Sequence, residues 1–247
     1  MSEPVEISYR SDGAKVPARV YGAGSATGAP GVLLCPGRFR DIDGLGFLSQ
    51  ALAARGHVVL ATRYRGMDFF TDDADVAAGL DHLAGLAEVD PARLAIVGHS
   101  RGGMAALRGA AKDGRVRSLV ALAPPTEFSS YVKAMEFLSP QRYQGMIASM
   151  GGTEEAEPAR YAEISALGYA ERIKVPVLLV CGTQDLHAPL EHSQWMCEAL
   201  VAAGSAGCRL EVLEGVGHFF EKMYEGYQFD RIAELSAEWL GRTLATD

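Results

Sequence analysis

Three short stretches carry the residue types of nucleophilic acyl chemistry. Gly98-His99-Ser100-Arg101-Gly102 is a Gly-x-Ser-x-Gly pentapeptide. The apolar run Arg93–Val97 precedes it, and Gly102-Gly103-Met104-Ala105-Ala106-Leu107 then opens a helical pattern. A strand–turn–helix context of this kind holds a serine hydroxyl out at the end of a sheet. The sharp turn strains the serine backbone. Neighbouring chain passes close to the positions two residues either side, which favours Gly98 and Gly102. The start of the following helix aims backbone N–H groups and partial positive charge at the site. Ser100 is therefore the candidate nucleophile, and the Arg101 N–H a candidate oxyanion donor.

A serine hydroxyl needs a general base, and the base needs an orienting acid. Of the six histidines, His218 lies in Glu214-Gly215-Val216-Gly217-His218-Phe219-Phe220, a glycine-rich loop after the last apolar run. Where this turn carries a triad, the chain order is Ser, acid, His, which selects His218 as base. Asp185 follows the apolar run Val177–Cys181 and the turn Gly182-Thr183-Gln184. That places it at the end of the sheet, as the acid or as a cap for the helix starting near Pro189. His187 and His192 fit surface or supporting positions. The second oxyanion donor is expected in Leu33-Leu34-Cys35-Pro36-Gly37-Arg38-Phe39, at the Arg38 N–H with Gly37 as fallback. The Arg38 and Arg40 side chains either meet an acidic substrate or are solvated and paired. Phe39, Phe69, Tyr131, Met135 and Phe219 are candidates for a substrate pocket, with Phe70 and Tyr224 behind them; each is also ordinary packing material.

Alternating elements must position these residues. Apolar runs at Gly31–Cys35, His57–Thr62, Arg93–Val97, Ser118–Leu122, Val175–Cys181 and Cys208–Leu213 read as strands covered on both faces. Helical periods at Leu45–Arg55, Asp73–Ala87, Arg101–Lys112, Glu191–Ala203 and Gln228–Leu244 separate them. The alternation predicts an α/β fold with a mainly parallel sheet and right-handed crossovers. Pro4–Tyr21 reads as an antiparallel hairpin turning at Ser11-Asp12-Gly13. Pro124–Arg172 lacks a clear strand, and is expected to form a partly helical cap inserted into one domain spanning residues 1–247.

The chain has 247 residues, of which 48% are hydrophobic and 22% charged, as in an ordinary globular domain. A net charge of −8 argues against a nucleic-acid binder or a polybasic membrane anchor. No basic start followed by an apolar run opens the chain, and Cys35, Cys181, Cys197 and Cys208 lack Cys-x-x-Cys spacing. Four reduced thiols and a cytoplasmic location are expected, with a Cys197–Cys208 bridge as the alternative. No dinucleotide fingerprint, Walker-type Gly-Lys-Ser/Thr or metal-ligand spacing is seen, so no cofactor or metal is expected. The expected partner is a small-molecule substrate, without nucleic acid or membrane, and a homodimer is allowed.

These motifs resemble an α/β-hydrolase, and within that fold the catalytic domain of the prolyl oligopeptidase family and its dienelactone-hydrolase-like relatives. The similar stretches are Arg63-Tyr64-Arg65-Gly66, Val89-Asp90-Pro91-Ala92-Arg93-Leu94-Ala95, the Ser100 pentapeptide, Ala170–Leu179, Gly182-Thr183-Gln184-Asp185 and Gly217-His218-Phe219. The resemblance implies a serine hydrolase of small esters, thioesters or amides through an acyl-enzyme. Three departures bear on that. The family's N-terminal propeller has no counterpart ahead of residue 5, which favours an esterase over a small-peptide or acyl-amino-acid peptidase. The usual His-Gly-Gly oxyanion stretch reads Cys35-Pro36-Gly37-Arg38. The dienelactone hydrolases use cysteine where this chain has Ser100. A silent ligand receptor, and an acyltransferase or perhydrolase using the same triad, are the rival readings.

Overall fold

The computed structural model describes residues 3–24, 27–38 and 42–245. Eight strands form one sheet: β1 (Val5–Ser11), β2 (Ala14–Tyr21), β3 (Ala29–Cys35), β4 (Val58–Thr62), β5 (Val89–His99), β6 (Val116–Leu122), β7 (Val177–Gly182) and β8 (Cys208–Leu213). Their order is β1-β2-β4-β3-β5-β6-β7-β8. β1 and β2 pair antiparallel, as does β2 with β4; every pairing from β4 to β8 is parallel. Helices α1 (Gly46–Ala53), α2 (Asp72–Ala84), α3 (Arg101–Lys112), α7 (Leu190–Ala202) and α8 (Phe229–Thr243) flank it.

Strands β3, β4 and β7 are almost wholly apolar because alternate side chains enter two separate cores. Leu33, Cys35, Ile96, Leu119, Ala121 and Leu179 pack on one side with Leu80 and Leu83 of α2, Leu107 of α3 and Leu200 of α7. Val32, Leu34, Val97, Val120, Leu122, Leu178 and Val180 pack on the other with Leu48 and Leu52 of α1 and Ile232, Leu235 and Leu240 of α8. Burying each such aliphatic side chain contributes about 1.5–3 kcal/mol, so a central strand with a core on each face is held twice over.

Residues 124–172 form α4 (Phe128–Leu138), α5 (Pro140–Met150), α6 (Pro158–Ile164) and a 3₁₀ helix, Ala166–Arg172, all between β6 and β7. The Glu127 carboxylate caps α4, accepting from the Ser129 and Ser130 N–H groups at 3.1 and 2.6 Å. Gly151, at φ +80°, ends α5 in the left-handed conformation. Phe128, Val132, Met135, Met146, Met150, Tyr161 and Ile164 turn inward onto the core beside α3.

Several boundaries differ from the sequence reading. β5 begins at Val89, not Arg93. Asp90 and Arg93 hide the strand by their polarity, and they pair with each other at 2.9 Å while the register shifts beside them. α2 stops at Ala84, ahead of Gly85, and not at Ala87. A small hairpin of β9 (Glu221–Lys222) and β10 (Gly226–Tyr227) follows the His218 loop and carries Tyr224 outward, 99% exposed, so Tyr224 does not line the pocket at Ser100. All four cysteines are free thiols. No helix among the described residues is long and apolar enough to cross a membrane.

Candidate active site

Ser100 stands between the end of β5 and the start of α3, at φ 55° and ψ −119°. A non-glycine residue there costs of order 1–3 kcal/mol and persists only where its surroundings dictate it. Here they do. The Ser100 N–H donates to the Leu122 carbonyl at 2.9 Å, and the Ser100 carbonyl accepts from the Met104 N–H at 3.0 Å. A Cβ on Gly98 would run into the Gly102 carbonyl, and one on Gly102 into the Cys35 and Pro36 carbonyls. Both glycines are therefore required by the crossing of three backbone segments.

His218 lies in the loop after β8 and Asp185 in the turn after β7. His218 Nε2 lies 2.9 Å from Ser100 Oγ, and His218 Nδ1 lies 2.7 Å from Asp185 Oδ2. Asp185 Oδ1 accepts two further bonds, from the His187 and Ala188 N–H groups, each at 2.9 Å. Asp185 thus orients the histidine and shapes its own turn; it does not cap α7, whose N-cap Pro189 is met by no side-chain cap bond. All three side chains are buried.

The acid turn and the base loop are fastened together. The Gln184 N–H donates to the Val216 carbonyl at 3.0 Å, the Thr183 N–H to Leu213 at 3.1 Å, and the Gly215 N–H to Thr183 Oγ1 at 2.9 Å. A Cβ on Gly182 would strike the Val216 carbonyl. His99 fastens the same loop to the elbow: its Nε2 donates to the His218 carbonyl at 2.9 Å.

The strand end opposite Ser100 is that of β3. A Cβ on Gly37 would lie 3.4 Å from Ser100 Cβ and 3.0 Å from His99 Nδ1. The Gly37–Arg38 peptide therefore abuts the nucleophile. The Arg101 N–H, first in α3, has no partner within its own helix by position. The Arg101 side chain does something separate. It is buried against Asp72, with Nε 3.0 Å from Oδ2, and its NH2 donates to the Gly66 and Asp68 carbonyls. Its guanidinium also lies over Tyr64, at 4.4 Å, and Phe69, at 4.9 Å. Burial raises the Asp72 carboxyl above its ordinary range, more than Arg101 and Arg108 draw it down.

A narrow pocket opens on Ser100 and His218. Tyr131 of α4, Arg142 of α5, Phe219, Arg38 and His187 line it, with Gly37 and His99. Tyr131 and Phe219, two of the pocket candidates named from the sequence, are among these residues. Phe69 and Met135 are not: both are almost fully buried in the core beside α3 and line no part of the pocket. Phe69 packs edge-on to Phe128 and under two guanidinium groups. Phe39 and Arg40 lie outside the described residues.

Sequence reasoning missed Arg142 and read His187 only as a surface or supporting residue. Arg142 sits on a helix with no motif of its own. The His187 ring lies 4.8 Å from that of His218, and burial, then the neighbouring His218, lowers its pKa. His192 is not on the surface; it is buried, and its Nδ1 accepts from the Glu127 N–H at 3.3 Å. Asp185, His187 and His218 also bring potential metal-ligand atoms within 4.8 Å of one another, a grouping that sequence spacing did not show because His218 arrives from another loop. Asp185 and His218 are already engaged with each other there.

A hydroxyl on a strained elbow, bonded to a histidine that is bonded in turn to a buried carboxylate, can form and break acyl bonds. The profile of the prolyl oligopeptidase family matches residues 46–245. The chain belongs to that family. It is a serine hydrolase of α/β-hydrolase fold. Uncharacterized protein Rv2307c of Mycobacterium tuberculosis is 30% identical over 213 residues, covering 82% of this chain and 67% of that one. Est1E from Butyrivibrio proteoclasticus has the same fold at TM-score 0.78 and 18% identity, over 98% of this chain and 99% of that one. The acylaminoacyl peptidase of Pyrococcus horikoshii matches at TM-score 0.82 and 16% identity, over 99% of this chain and 42% of that one. A puromycin-hydrolyzing peptidase of Mycobacterium tuberculosis matches at TM-score 0.80 and 23% identity, over all of this chain and 40% of that one. At these identities the structural matches establish the fold alone.

Proposed function

We propose that this family member hydrolyses small carboxylic esters through an acyl-enzyme on Ser100. The observation that carries the reading is the continuous hydrogen-bonded chain from Ser100 Oγ through His218 to Asp185. Ser100 Oγ attacks the substrate carbonyl as His218 Nε2 takes its proton. His218 then gives that proton to the leaving oxygen as the tetrahedral intermediate collapses. Water repeats the cycle on the acyl-enzyme. Asp185 holds Nδ1–H toward itself, which keeps Nε2 as the acceptor and stabilises the imidazolium. The Arg38 and Arg101 N–H groups are the proposed oxyanion donors, a role typically worth about 10²–10³ in rate per donor.

Esters are preferred over amides in this reading because Est1E matches this chain nearly end to end. The narrow pocket suits a short acyl group in either class. The peptidases match over less than half of their own length, so their whole-protein activity does not transfer with the fold. The helical residues 124–172 are proposed to act as a cap, since they supply Tyr131 and Arg142 to the pocket wall.

The test is a fluorophosphonate label and a panel of p-nitrophenyl esters and amino-acid anilides, on the protein and on Ser100→Ala. Labelling at Ser100 with ester turnover that vanishes in the variant is expected. Anilides turned over faster than esters would establish the peptidase alternative. A well-folded protein that neither labels nor turns over would sink the hydrolase reading.

A further inference from the structure

β8 is the last strand of the sheet and pairs with β7 on one side. The Val177 N–H donates to the Gly207 carbonyl at 2.9 Å, and the Thr183 N–H to the Leu213 carbonyl at 3.1 Å. Alternate residues of a strand turn their backbone groups the same way, so Arg209 and Glu211 also face β7. The N–H and carbonyl groups of Cys208, Leu210 and Val212 face outward, and among the described residues none of them has a hydrogen-bond partner. An open row of this kind is a template for another strand, and edges are ordinarily blunted by lysine, proline or a bulge. Cys208-Arg209-Leu210-Glu211-Val212-Leu213 contains no lysine or proline and pairs with β7 without a register shift.

The residues of β8 also dictate how a second copy of this edge would fit. Two identical edges related by a two-fold axis run antiparallel, and their outward groups must meet. With the axis at Arg209, Cys208 opposes Leu210 and the two Arg209 side chains face each other. With the axis at Glu211, Leu210 opposes Val212 and Glu211 faces Glu211. With the axis at Leu210, Cys208 opposes Val212, Leu210 opposes its own copy, and Arg209 faces Glu211 on both sides. Of these three registers, the last alone pairs all three outward residues and sets opposite charges across from each other. Arg209 and Glu211 then fall at non-hydrogen-bonded positions, where facing Cα atoms stand about 4.5 Å apart and side chains are closest. Within one strand the two already form an ion pair, Arg209 Nε to Glu211 Oε1 at 2.5 Å, and pairing joins two such ion pairs into a ring of alternating charge. On the other face of β8, Leu210 walls a groove with Cys197 and Val201 of α7. Val201 is 67% exposed and Val212 43%, and the same axis sets this apolar strip beside its own copy.

We propose that β8 is a homodimer interface, at which two copies of this chain join edge to edge about Leu210 into one continuous sheet, with Arg209 of each facing Glu211 of the other. Each opposed pair of outward residues exchanges two backbone hydrogen bonds, which supply the association. The charges supply the register, since a slip of the axis to Arg209 or Glu211 sets like charges directly opposite. The interface does not involve the reacting groups at Ser100, so it stands apart from the acyl chemistry.

Analytical ultracentrifugation over a concentration series measures the association, with circular dichroism and thermal melts read on every variant for folding. The native chain should sediment at twice the monomer mass and dissociate on dilution. Glu211→Arg puts like charges in both cross-strand pairs, and so does Arg209→Glu; each should weaken dimerisation roughly 10–100-fold. An equimolar mixture of those two variants should dimerise again, because one copy then offers two cations where the other offers two anions. Val212→Pro removes an outward N–H and no bond to β7, so a folded monomer is expected. A native chain that stays monomeric up to about 100 μM would overturn the proposal. So would a dimer that Glu211→Arg, Arg209→Glu and Val212→Pro all leave intact, since its interface would lie on another face. A mixture no tighter than its two components would overturn the pairing of Arg209 with Glu211.

Discussion

Asp185→Asn is the most informative single substitution, because the geometry dictates which way the new amide must face. In the native site one carboxylate oxygen accepts from the His187 and Ala188 N–H groups, and the other from His218 Nδ1. An asparagine has one acceptor end and one donor end. Turning its NH₂ toward the two backbone donors would oppose donors twice. The amide oxygen therefore stays on the backbone, and the NH₂ faces His218. Nδ1 becomes the acceptor, Nε2 carries the proton, and Ser100 loses its base. For a triad held in the wrong tautomer the loss in kcat is about 10⁴, or about 5.4 kcal/mol of barrier at 1.36 kcal/mol per decade. Stability should barely change, since both backbone bonds survive. Asp185→Ala separates the two effects. It strands the His187 and Ala188 N–H groups, at about 1–3 kcal/mol for each buried one. Ala188 is buried and His187 only partly so, which suggests about 2–3 kcal/mol in total and, at 2–4 °C per kcal/mol for a chain of this size, a drop in Tm of roughly 5–10 °C. The assays are p-nitrophenyl ester kinetics at pH 7.5 and thermal melts of both variants. An asparagine variant keeping more than about a tenth of the native kcat, or losing as much Tm as the alanine variant, would refute this account of Asp185.

The buried Arg101–Asp72 pair yields a second expectation: Asp72→Leu alone should cost about 3–5 kcal/mol by leaving Arg101 buried and unpaired, while Arg101→Met with Asp72→Leu should recover most of it. Thermal melts that show simple additivity would contradict that. His192 should make stability fall on acidification. Its folded pKa lies below the ordinary 6.5 because of burial, so the unfolded chain binds its proton more readily; the stability it contributes is complete above about pH 6.5 and is lost as pH falls below that value. Melts between pH 7.5 and 5.5 should show a shallower slope in His192→Asn, and an unchanged slope would count against it. Gly102→Ala places a Cβ against backbone carbonyls of β3; no soluble, labelled protein is expected, and a folded variant with native turnover would mean the elbow is looser than drawn.

The legible part of the site was the part written locally. The Ser100 turn declares itself because its glycines, strand and helix are contiguous. Asp185 and His218 follow from strand ends in a fixed order. The pocket was not legible in that way. Phe69 and Met135 have the right chemistry for an acyl wall, yet the faces they occupy point into the core. Arg142 and His187 reach the pocket only through the placement of α5 and of the turn after β7. His192 looked peripheral on α7, and the Glu127 N–H that it accepts lies 65 residues away. Strand β5 was truncated at Arg93 because an ion pair hid its apolar start. Composition and periodicity register what a residue is and which face it takes; they carry no record of which distant backbone meets that face.

The origin of the pocket walls has an evolutionary consequence. Ser100, Asp185 and His218 leave the ends of β5, β7 and β8, whereas Tyr131 and Arg142 come from the helices between β6 and β7. β6 and β7 are adjacent parallel strands, so the segment departs from one and returns to its neighbour. Insertions, deletions or wholesale exchange in that excursion need not disturb the register of any strand that carries the reacting groups. Selection can therefore redraft what the enzyme accepts while inheriting how it reacts, and a graft of the segment from a relative should transplant preference with the chemistry left in place.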